Sequence, residues 1–494
     1  MSYQHGVTTS ETATSLLPVV SVSAGISFIV GTAPVNMTDP TNVNKPVFCN
    51  NYADFVAAFG NVPAQLDEAS GLKKFAFTLS EFASAAFSLF AVGPVIAVNV
   101  LDPTKHRKTA TTTKITLDAK TGSATVAEVG VILSSVEISQ TTSGTYTEGE
   151  DYVATFDSDG YLVITSLTDE DGAFKMATAT ELTFAAEVLD PTAVTTDEIV
   201  GAVDTSGNRT GFELVNECFP RYRVTPGILL APGFSDNATV AAVMAAKSSS
   251  INTIFKAVCV VDVPTSTVTN YSNVPAWKNT NNVVDTTQIV CWPMIALDGV
   301  AYHMSTQLAV LMATVDSDNG DVPYVSPSNK NLQMTATVLE DGTEVTIGLD
   351  DANYLNGQGI VTALNFTGGW RAWGNRTACY PANTDVKDAF IPVRRMFGWV
   401  SNTLIQTFWQ RVDAPLNRRQ IDTVVDSANI WFNGLTATGA LLGGRVEFRS
   451  EDNTTLDLMD GISHSKVFFT PPSPNRQIDF DLEYDPSYLE TLFA

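Results

Sequence analysis

The sequence contains little histidine and cysteine, two residue types that many catalytic and metal centres use. Its 494 residues include four His, at positions 5, 106, 303 and 464, and no H-E-x-x-H motif. The five Cys lie far apart and form no C-x-x-C pair, so we expect buried free thiols and no disulfide framework or zinc site. A Walker phosphate loop and a G-x-S-x-G elbow are also missing. The sequence therefore predicts neither an enzyme nor a cofactor.

Long apolar runs are also missing. No stretch of about 18 apolar residues occurs, which excludes an ordinary transmembrane helix, so membrane insertion is not predicted. The first residues lack a basic region followed by an apolar block, which is the pattern of a secretory signal. We therefore expect synthesis and assembly in the cytoplasm.

Positive charge is scarce. The chain carries 28 Lys and Arg against 53 Asp and Glu, for a formal net charge of −25. A broad nucleic-acid surface needs a basic footprint, so direct nucleic-acid binding is not predicted. From Lys387 to the end there are 10 basic and 14 acidic residues, which is nearly balanced. This C-terminal part is the better candidate for contacts with other proteins.

The chain has ample apolar material, with 44% hydrophobic residues, and its length indicates two to four domains. Residues 1–22 are polar and predict an extended arm. Residues 23–103 and 196–384 alternate apolar runs of strand length with helical stripes, which predicts an α/β domain with a mostly parallel sheet. Its predicted strands are 95–101, 224–233, 256–264 and 286–297, and its predicted helices are 52–59, 72–90 and 238–250.

Two further units differ in composition. Residues 104–195 are rich in Thr, Ser, Asp and Gly and have short strand-like runs, which predicts an inserted β-rich domain. Residues 385–486 predict an α+β domain of two helices on a small sheet. Asn417 is placed to cap the second helix, with Gln420 at the capping-box position. The strands are expected at 445–450, 466–470 and 477–486.

The segment 477–486 alternates most clearly, with apolar and polar residues at every second position. Strict period two predicts a strand with one buried face, which we expect to pack on the two helices of its own domain. The tail 487–494 is apolar and too short to form its own core. We hypothesise that both chain ends add strands to sheets of neighbouring copies. The residues expected in this exchange are Tyr3, His5, Val7, Ile478, Phe480, Leu482, Tyr484, Tyr488, Leu489, Leu492 and Phe493.

Several motifs together resemble contractile bacteriophage tail sheath proteins. They occur in the order expected for that family and cover nearly all of the chain except 104–195. The motifs are YQHGV (3–7), SAGISFIVGTAP (23–34), NYADFVAAFG (51–60), PGILLAPG (226–233), VVDVP (260–264), VSPSNKNL (325–332), LNGQGIVTAL (355–364), WGNRT (373–377), IPVRRM (391–396) and GALLGG (439–444).

The resemblance implies a structural virion protein without enzymatic activity. Such sheaths form stacked hexameric rings around a tail tube, and contract to drive the tube through the host envelope for genome ejection. The implied partners are other copies of the chain, the inner tube protein, and the baseplate and tail terminator proteins. It also implies that the insertion faces outward, since the family varies there.

The basic residues of the C-terminal part suggest a tube contact. We expect salt-sensitive contact with an acidic tube from Arg394, Arg395, Arg411, Arg418 and Arg419, although ordinary solvated or internally paired arginines remain the alternative. Two other functions stay open at this point. One is the sheath of a phage-tail-like bacteriocin or secretion machine, and the other is a carbohydrate-active surface protein.

Overall fold

The computed structural model describes residues 19–20, 22–140 and 144–493. The predicted exchange residues Tyr3, His5 and Val7 lie outside these ranges. None of the described helices combines the length and apolar composition that crossing a membrane requires. The α-helices are α1 Tyr52–Phe59, α2 Thr78–Ala83, α3 Thr196–Val200, α4 Cys218–Tyr222, α5 Ala238–Ser249, α6 Val274–Thr280, α7 Met304–Asp318, α8 Leu349–Asn356, α9 Val386–Ala389, α10 Ile391–Phe408, α11 Arg418–Ala437 and α12 Thr455–Met459.

The strands fall into one large sheet and several small ones. They are β1 Ser27–Gly31, β2 Val47–Cys49, β3 Gln65–Leu66, β4 Lys73–Lys74, β5 Val95–Asn99, β6 Arg107–Thr109, β7 Lys114–Thr116, β8 Ser123–Val129, β9 Glu137–Gln140, β10 Gly144–Tyr146, β11 Tyr152–Phe156, β12 Tyr161–Ser166, β13 Glu181–Ala185, β14 Glu187–Leu189, β15 Ile228–Leu230, β16 Val258–Asp262, β17 Gln288–Cys291, β18 Met294–Leu297, β19 Val300–Tyr302, β20 Ala336–Val338, β21 Ile360–Asn365, β22 Trp370–Trp373, β23 Gly443–Glu447 and β24 Lys466–Thr470.

The large sheet has the order β2-β5-β1-β15-β16-β17-β21-β22. Its six inner strands pair in parallel, and the edge strands β2 and β22 pair antiparallel. Strands β1, β5, β15, β16 and β17 are buried at every position because helices cover both faces. This confirms the predicted α/β class and its mostly parallel sheet. All five Cys are buried and free, as predicted.

Local predictions were less accurate around this sheet. Helix 72–90 was expected to be continuous, but residues 73–74 form β4 and regular α-helix begins at Thr78, followed by a π-helical stretch Ser84–Leu89. The run 286–297 was expected to be one strand, yet it divides at Pro293 into β17 and β18, which belong to different sheets. Proline cannot donate to a ladder, which favours this break.

Helix α7 was not predicted at all. It is buried along most of its length, including Met304–Ala313. A helix enclosed on all sides needs no polar face, so its sequence lacks the amphipathic stripe that identified the other helices.

The inserted segment has a core of its own. One antiparallel sheet contains β7, β9, β10 and β13, and a second contains β8, β11 and β12. Both surround buried residues such as Ile138, Leu162 and Phe184. Strands β6 and β14 pair antiparallel where the chain enters and leaves this region. The β-rich character agrees with the composition of residues 104–195.

The C-terminal part contains the two predicted helices and a two-stranded ribbon, β23–β24. The side chain of Asn417 accepts the backbone N–H of Gln420 at 3.0 Å, as a helix cap should. The predicted third strand is wrong for the single subunit, because residues 477–485 belong to no sheet. A single strand is not stable without a neighbouring strand, and no described strand of the same subunit pairs with residues 477–485.

Helix α10 joins the C-terminal part to the α/β domain through a buried ion pair. Arg395 is 5% exposed and Asp316, near the end of α7, is 1% exposed. The guanidinium binds both carboxylate oxygens, with Nη1 donating to Oδ1 at 2.9 Å. Burial raises the pKa of Asp316, and the charge of Arg395 opposes this.

Three more side-chain contacts hold α10 in place. The side chain of Asn402 binds the backbone N and O of Lys256, both at 2.8 Å. On the other side, Trp399 Nε1 donates to the Val22 carbonyl at 2.6 Å and Arg395 Nη2 donates to that of Ala24 at 3.2 Å. The described N-terminal segment therefore runs along α10.

We predict that Arg395→Met lowers the free energy of unfolding by about 3–5 kcal/mol, because it leaves the Asp316 carboxylate buried without a partner. The measurement is the urea transition seen by tryptophan fluorescence, since Trp399 and Trp431 pack beside this site with ring centroids 5.4 Å apart.

Arg418→Met is the matched control, since Arg418 pairs with Asp422 at the surface. It should change stability by about 0.5 kcal/mol or less. Equal losses in the two variants would contradict the structural role of the buried pair.

Candidate assembly interface

The α/β domain has a cleft of the kind that holds substrates in enzymes of this architecture. It has a volume of about 520 Å³ and lies at the carboxyl ends of β1, β15, β16 and β17. Strand β5 pairs on one side of β1 and the later strand β15 on the other, so the cleft lies at a topological switch point of the sheet. Glu81, Asp236, Asp262 and His303 line it. Among the described residues, no group of three His, Cys, Asp or Glu side chains could hold a metal ion.

Two of the acids in this cleft bind the start of α7. Glu81 accepts the backbone N–H of His303 at 2.7 Å and the hydroxyl of Thr306 at 2.9 Å. Asp262 accepts the backbone N–H of Ser305 at 2.9 Å and also binds its hydroxyl. Carboxylates are favourable at a helix N-terminus, where backbone N–H groups lack partners. These acids therefore stabilise the N-terminus of α7. Their hydrogen bonds serve the fold and give no indication of catalysis.

His303 adds a positive charge to the acidic side chains of this cleft. Its Nδ1 lies 2.8 Å from Glu81 Oε2. Burial alone would lower the pKa of His303, but the carboxylates of Glu81, Asp262 and Asp236 together raise it to about 10. At neutral pH His303 is consequently a cation within a mainly acidic cluster.

Exposed apolar surface is concentrated in the C-terminal part. Of the 24 large apolar side chains that are exposed among the described residues, 15 lie between residues 409 and 492. Isolated apolar side chains are normal on a surface, but this concentration is typical of an interface. Trp409, Val412 and Leu416 lie between α10 and α11, and Leu442 comes just before β23.

The ribbon β23–β24 has an apolar face and a polar face. The opposed pairs Gly444–Phe469 and Val446–Val467 face the helices. Phe469 packs on Phe397, with ring centroids 4.3 Å apart. Gly444 is needed here, since a Cβ atom would lie 2.7 Å from the ring of Phe432. The position of the ribbon is thus set by the helices beneath it.

The polar face of the ribbon points away from the helices. It carries the opposed pairs Arg445–Phe468 and Glu447–Lys466. The guanidinium of Arg445 lies 4.3 Å from the centre of the Phe468 ring, and Lys466 Nζ lies 5.5 Å from it. Arg445 forms an ion pair with Glu447, whereas Lys466 has no carboxylate within ion-pair distance in the described ranges.

The two edges of the ribbon are not equivalent. On the β23 side, Asn429 of α11 accepts the Val446 N–H at 2.7 Å and donates to the Val446 carbonyl at 3.1 Å. On the other side, no described residue outside the ribbon forms a hydrogen bond with the main chain of Val467 or Phe469. The edge of β24 is therefore open.

The predicted exchange residues of the tail are all exposed, apart from Phe493, whose side chain lies outside the described part of the structure. Ile478 is 66% exposed, Phe480 83% and Leu482 96%, and Tyr484 is also exposed. They were expected to pack on the helices of their own subunit, and this is wrong. Beyond them, Tyr488, Leu489 and Leu492 are exposed on a 3-10 helix, Pro486–Phe493.

The five predicted tube-contact arginines are not one surface. Arg395 is buried in its pair with Asp316, so its assignment to a tube contact is wrong for this structure. Arg394 is mostly buried and pairs with Asp388 at 3.1 Å, and Arg411 is half-buried. Only Arg418 and Arg419 are exposed, at the start of α11. The sequence could not separate these cases, because the carboxylate that pairs with Arg395 belongs to Asp316, 79 residues away along the chain.

The N-terminal segment leads toward the same region. Ala24, Val22 and Val20 contact Arg395, Trp399 and Thr407 in turn, so the chain runs backwards along α10 toward the C-terminal part. The first described residues of the chain therefore lie beside α10, in the C-terminal part.

Curated relatives identify the family. The chain is 31% identical to the tail sheath protein of Burkholderia phage BcepMu over 504 aligned positions, which cover 99% of this chain and 98% of that protein. The chain belongs to the tail sheath protein family. It is also 26% identical to the tail sheath protein of Escherichia phage P2, over 61% of this chain and 74% of that protein. No family model matches. The resemblance inferred from the motifs is confirmed, and the chain is a structural sheath subunit and not an enzyme.

Solved structures agree on the fold. The PVC sheath complex of an extracellular contractile injection system, in its contracted state, is similar with a TM-score of 0.59 at 15% identity, over 99% of both chains. The contracted helical sheath of the anti-feeding prophage is similar with a TM-score of 0.56 at 13% identity, over 98% of this chain and all of that one.

We predict that the stabilising contribution of His303 decreases at alkaline pH. Its folded pKa of about 10 exceeds the usual 6.5, so its contribution is complete below about pH 6.5 and is lost as the pH rises through 10. The measurement is the stability difference between the wild type and His303→Gln from pH 6 to 10.5, which should shrink.

His464→Gln is the control, because His464 is exposed. Its difference from the wild type should be small and should not follow the His303 profile. A His303→Gln difference that stays constant across this range would refute the charged pair.

Proposed function

We propose that this subunit polymerises as stacked hexameric rings around an inner tail tube in a phage virion. The sheath then contracts and drives the tube through the host envelope for genome ejection. Baseplate and tail terminator proteins would bound the polymer. The full-length similarity to a phage sheath protein supports a phage tail over a bacteriocin or secretion machine.

The observation that carries this proposal is the unfinished ribbon. Two strands are marginal by themselves, and a third strand would complete both the ladder and the apolar face. The open edge of β24 and the exposed tail 477–485 are complementary parts of such an addition. Since neither is satisfied within one subunit, strand exchange between copies explains both. The N-terminal arm, residues 1–22, would link copies in the same way.

The domains then have separate tasks. We propose that residues 23–103 with 196–384 form the rigid sheath domain, that 104–195 decorate the outside, and that 385–486 polymerise, with residues 487–494 as a second linking arm. Apolar surface buried between subunits contributes about 25 cal/mol per Å². Contraction that buries more of this surface would need no nucleotide, and the extended sheath would be a kinetically trapped state.

The tube contact is narrower than the sequence suggested. We propose that it consists of Arg418 and Arg419 with the exposed Trp409, Val412 and Leu416 of the α10–α11 connection. Exposed charges interact weakly and are screened by salt, which suits a surface that must release the tube during contraction.

We predict that removal of residues 477–494 leaves a folded monomer that does not form tubular polymers. The reason is that the tail makes few contacts with its own subunit but would complete a sheet in another. Sedimentation, circular dichroism and negative-stain microscopy measure this. A truncation at 487, which removes only the short terminal arm, separates the two parts of the tail. Normal polymers from the longer truncation would refute strand exchange by this segment.

We predict that Arg418→Glu with Arg419→Glu weakens tube contact and leaves the fold and sheath-to-sheath assembly intact, because both side chains are exposed. Co-assembly of sheath with tube at 50 and 200 mM salt measures this, and the variant should lose most of the salt-dependent component. Lys105→Glu with Lys120→Glu is the control, since it changes the net charge equally at exposed residues of the inserted domain. Unchanged tube loading in the double Glu variant would exclude this surface.

A further inference from the structure

We propose that the guanidinium of Arg376 binds a carboxylate on the acidic part of a second copy, residues 1–386, when copies of this chain polymerise. This contact rests on polymerisation as proposed above. It joins the folded domains of two copies directly, and neither chain end supplies it.

The main chain around Arg376 is fixed beside the start of α10. Both residues that flank Arg376 form main-chain hydrogen bonds with the segment 389–391, at 2.9 and 3.1 Å. Arg376 is thereby opposed to Phe390 in a short antiparallel bridge. The root of the side chain consequently has a defined position, although it lies in a connection between a strand and a helix.

Two aromatic rings hold the side chain of Arg376. Its guanidinium carbon lies 3.7 Å from the centre of the Phe390 ring and 4.5 Å from that of Tyr380. Phe390 is buried, and the carbonyl of Tyr380 accepts a hydrogen bond of 2.8 Å from Nζ of the buried Lys278. Cation–π contacts with two anchored rings orient the planar cation, so little rotamer freedom is lost when it binds a partner.

Arg376 has no acidic partner in its own subunit as far as the structure describes it. No described carboxylate lies within ion-pair distance, and the side chain forms no hydrogen bond with a described residue. Asp388, which is close to the bridge, is already paired with Lys387 at 2.6 Å and with Arg394 at 3.1 Å. An oriented and partly buried arginine therefore presents unused donors at the surface.

The surroundings of Arg376 are positive. Burial lowers the pKa of its guanidinium, Tyr380 opposes this effect, and the nearby charge of Arg476 lowers the pKa further. Helix α10 begins at the residue after Phe390, and the N-terminal end of a helix dipole is also positive. A carboxylate bound here would be attracted by both arginines and by the helix.

The shape and charge of the site favour a second copy as the partner. The planar fork of a guanidinium matches the two oxygens of a carboxylate. Residues 1–386 contain 39 acidic and 18 basic residues, and exposed acids such as Glu340, Glu344 and Asp350 have no ion-pair partner in the described ranges. A contact between two different surfaces of the same chain is heterologous, which is the kind of contact that builds rings and helical polymers.

The first experiment measures the lowest concentration at which the full-length chain polymerises. Arg376→Gln should raise it about tenfold at 50 mM salt, because the variant loses both the charge and the fork. At 200 mM salt its difference from the wild type should shrink to about threefold, since salt screens ion pairs near the surface. Circular dichroism and the urea transition check that the variant is folded.

Arg221→Gln is the matched control, because Arg221 is an exposed arginine of the α/β domain that already pairs with Glu217 at 2.6 Å. It should change the polymerisation concentration less than about twofold. Equal effects of the two variants would overturn the proposal.

The second experiment identifies the acid by zero-length cross-linking. Arg376→Lys keeps the charge and supplies an amine, which a carbodiimide joins to a carboxylate in direct contact, with loss of water. Polymers are assembled from equal amounts of light and heavy isotope-labelled chains of this variant, and mass spectrometry reads the label on each half of every cross-linked peptide. We expect mixed-label peptides that join position 376 to an Asp or Glu of residues 1–386.

Charge exchange then tests the pair that is found. Arg376→Glu should prevent polymerisation, and replacement of the identified acid by Lys in the same chain should restore it to within about threefold of the wild type. Cross-links within single chains only, cross-links to the acids of 479–490, or failure of the rescue would each contradict the proposed contact.

The proposed function and this contact can fail separately. If the wild-type chain forms no polymers under these conditions, the proposed function is at fault. If the wild type polymerises and Arg376→Gln does so at the same concentration, the proposed function stands and the contact at Arg376 is wrong.

Discussion

The geometry of the C-terminal part depends on the buried pair of Asp316 and Arg395. It connects the end of α7, inside the α/β domain, to the first half of α10. Two charges with this degree of burial are costly to separate, so α10 holds a defined orientation on the domain. The N-terminal segment, helix α11 and the ribbon all pack on or beside α10, and their positions follow from it.

The α/β domain and the C-terminal part differ in how their polar groups are hydrogen-bonded. In the α/β domain, Glu81 and Asp262 are fully used as hydrogen-bond acceptors at the start of α7. In the C-terminal part, the outer main chain of β24 and the side chain of Lys466 have no such partners in the described ranges. A fold that pairs the acids at the start of α7 and leaves the outer main chain of β24 open is suited to assembly at that edge.

Sequence reasoning succeeded where burial is simple. The parallel strands are continuous apolar runs, and α1, α5, α10 and α11 show apolar stripes or clear caps, so local pattern was sufficient. It failed for α7, which has no polar face, and for the run 286–297, which supplies strands to two sheets. It also could not separate Arg395 from Arg418, because the partner of Arg395 lies 79 residues away in sequence.

The segment QIDFDLEYDP, residues 477–486, shows most clearly what the sequence determines and what the tertiary structure decides. Its alternation by itself determined that the segment is suited to a strand with one apolar and one acidic face, because side chains alternate with period two. Whether a ladder exists for that strand is decided by tertiary structure. In the subunit there is none, since Asn429 occupies one edge of the ribbon and the tail does not reach the other. Composition and motifs therefore determined the family and the layered α/β core, whereas only the folded chain could decide which edge, which arginines and which end of the molecule remain available to a neighbour.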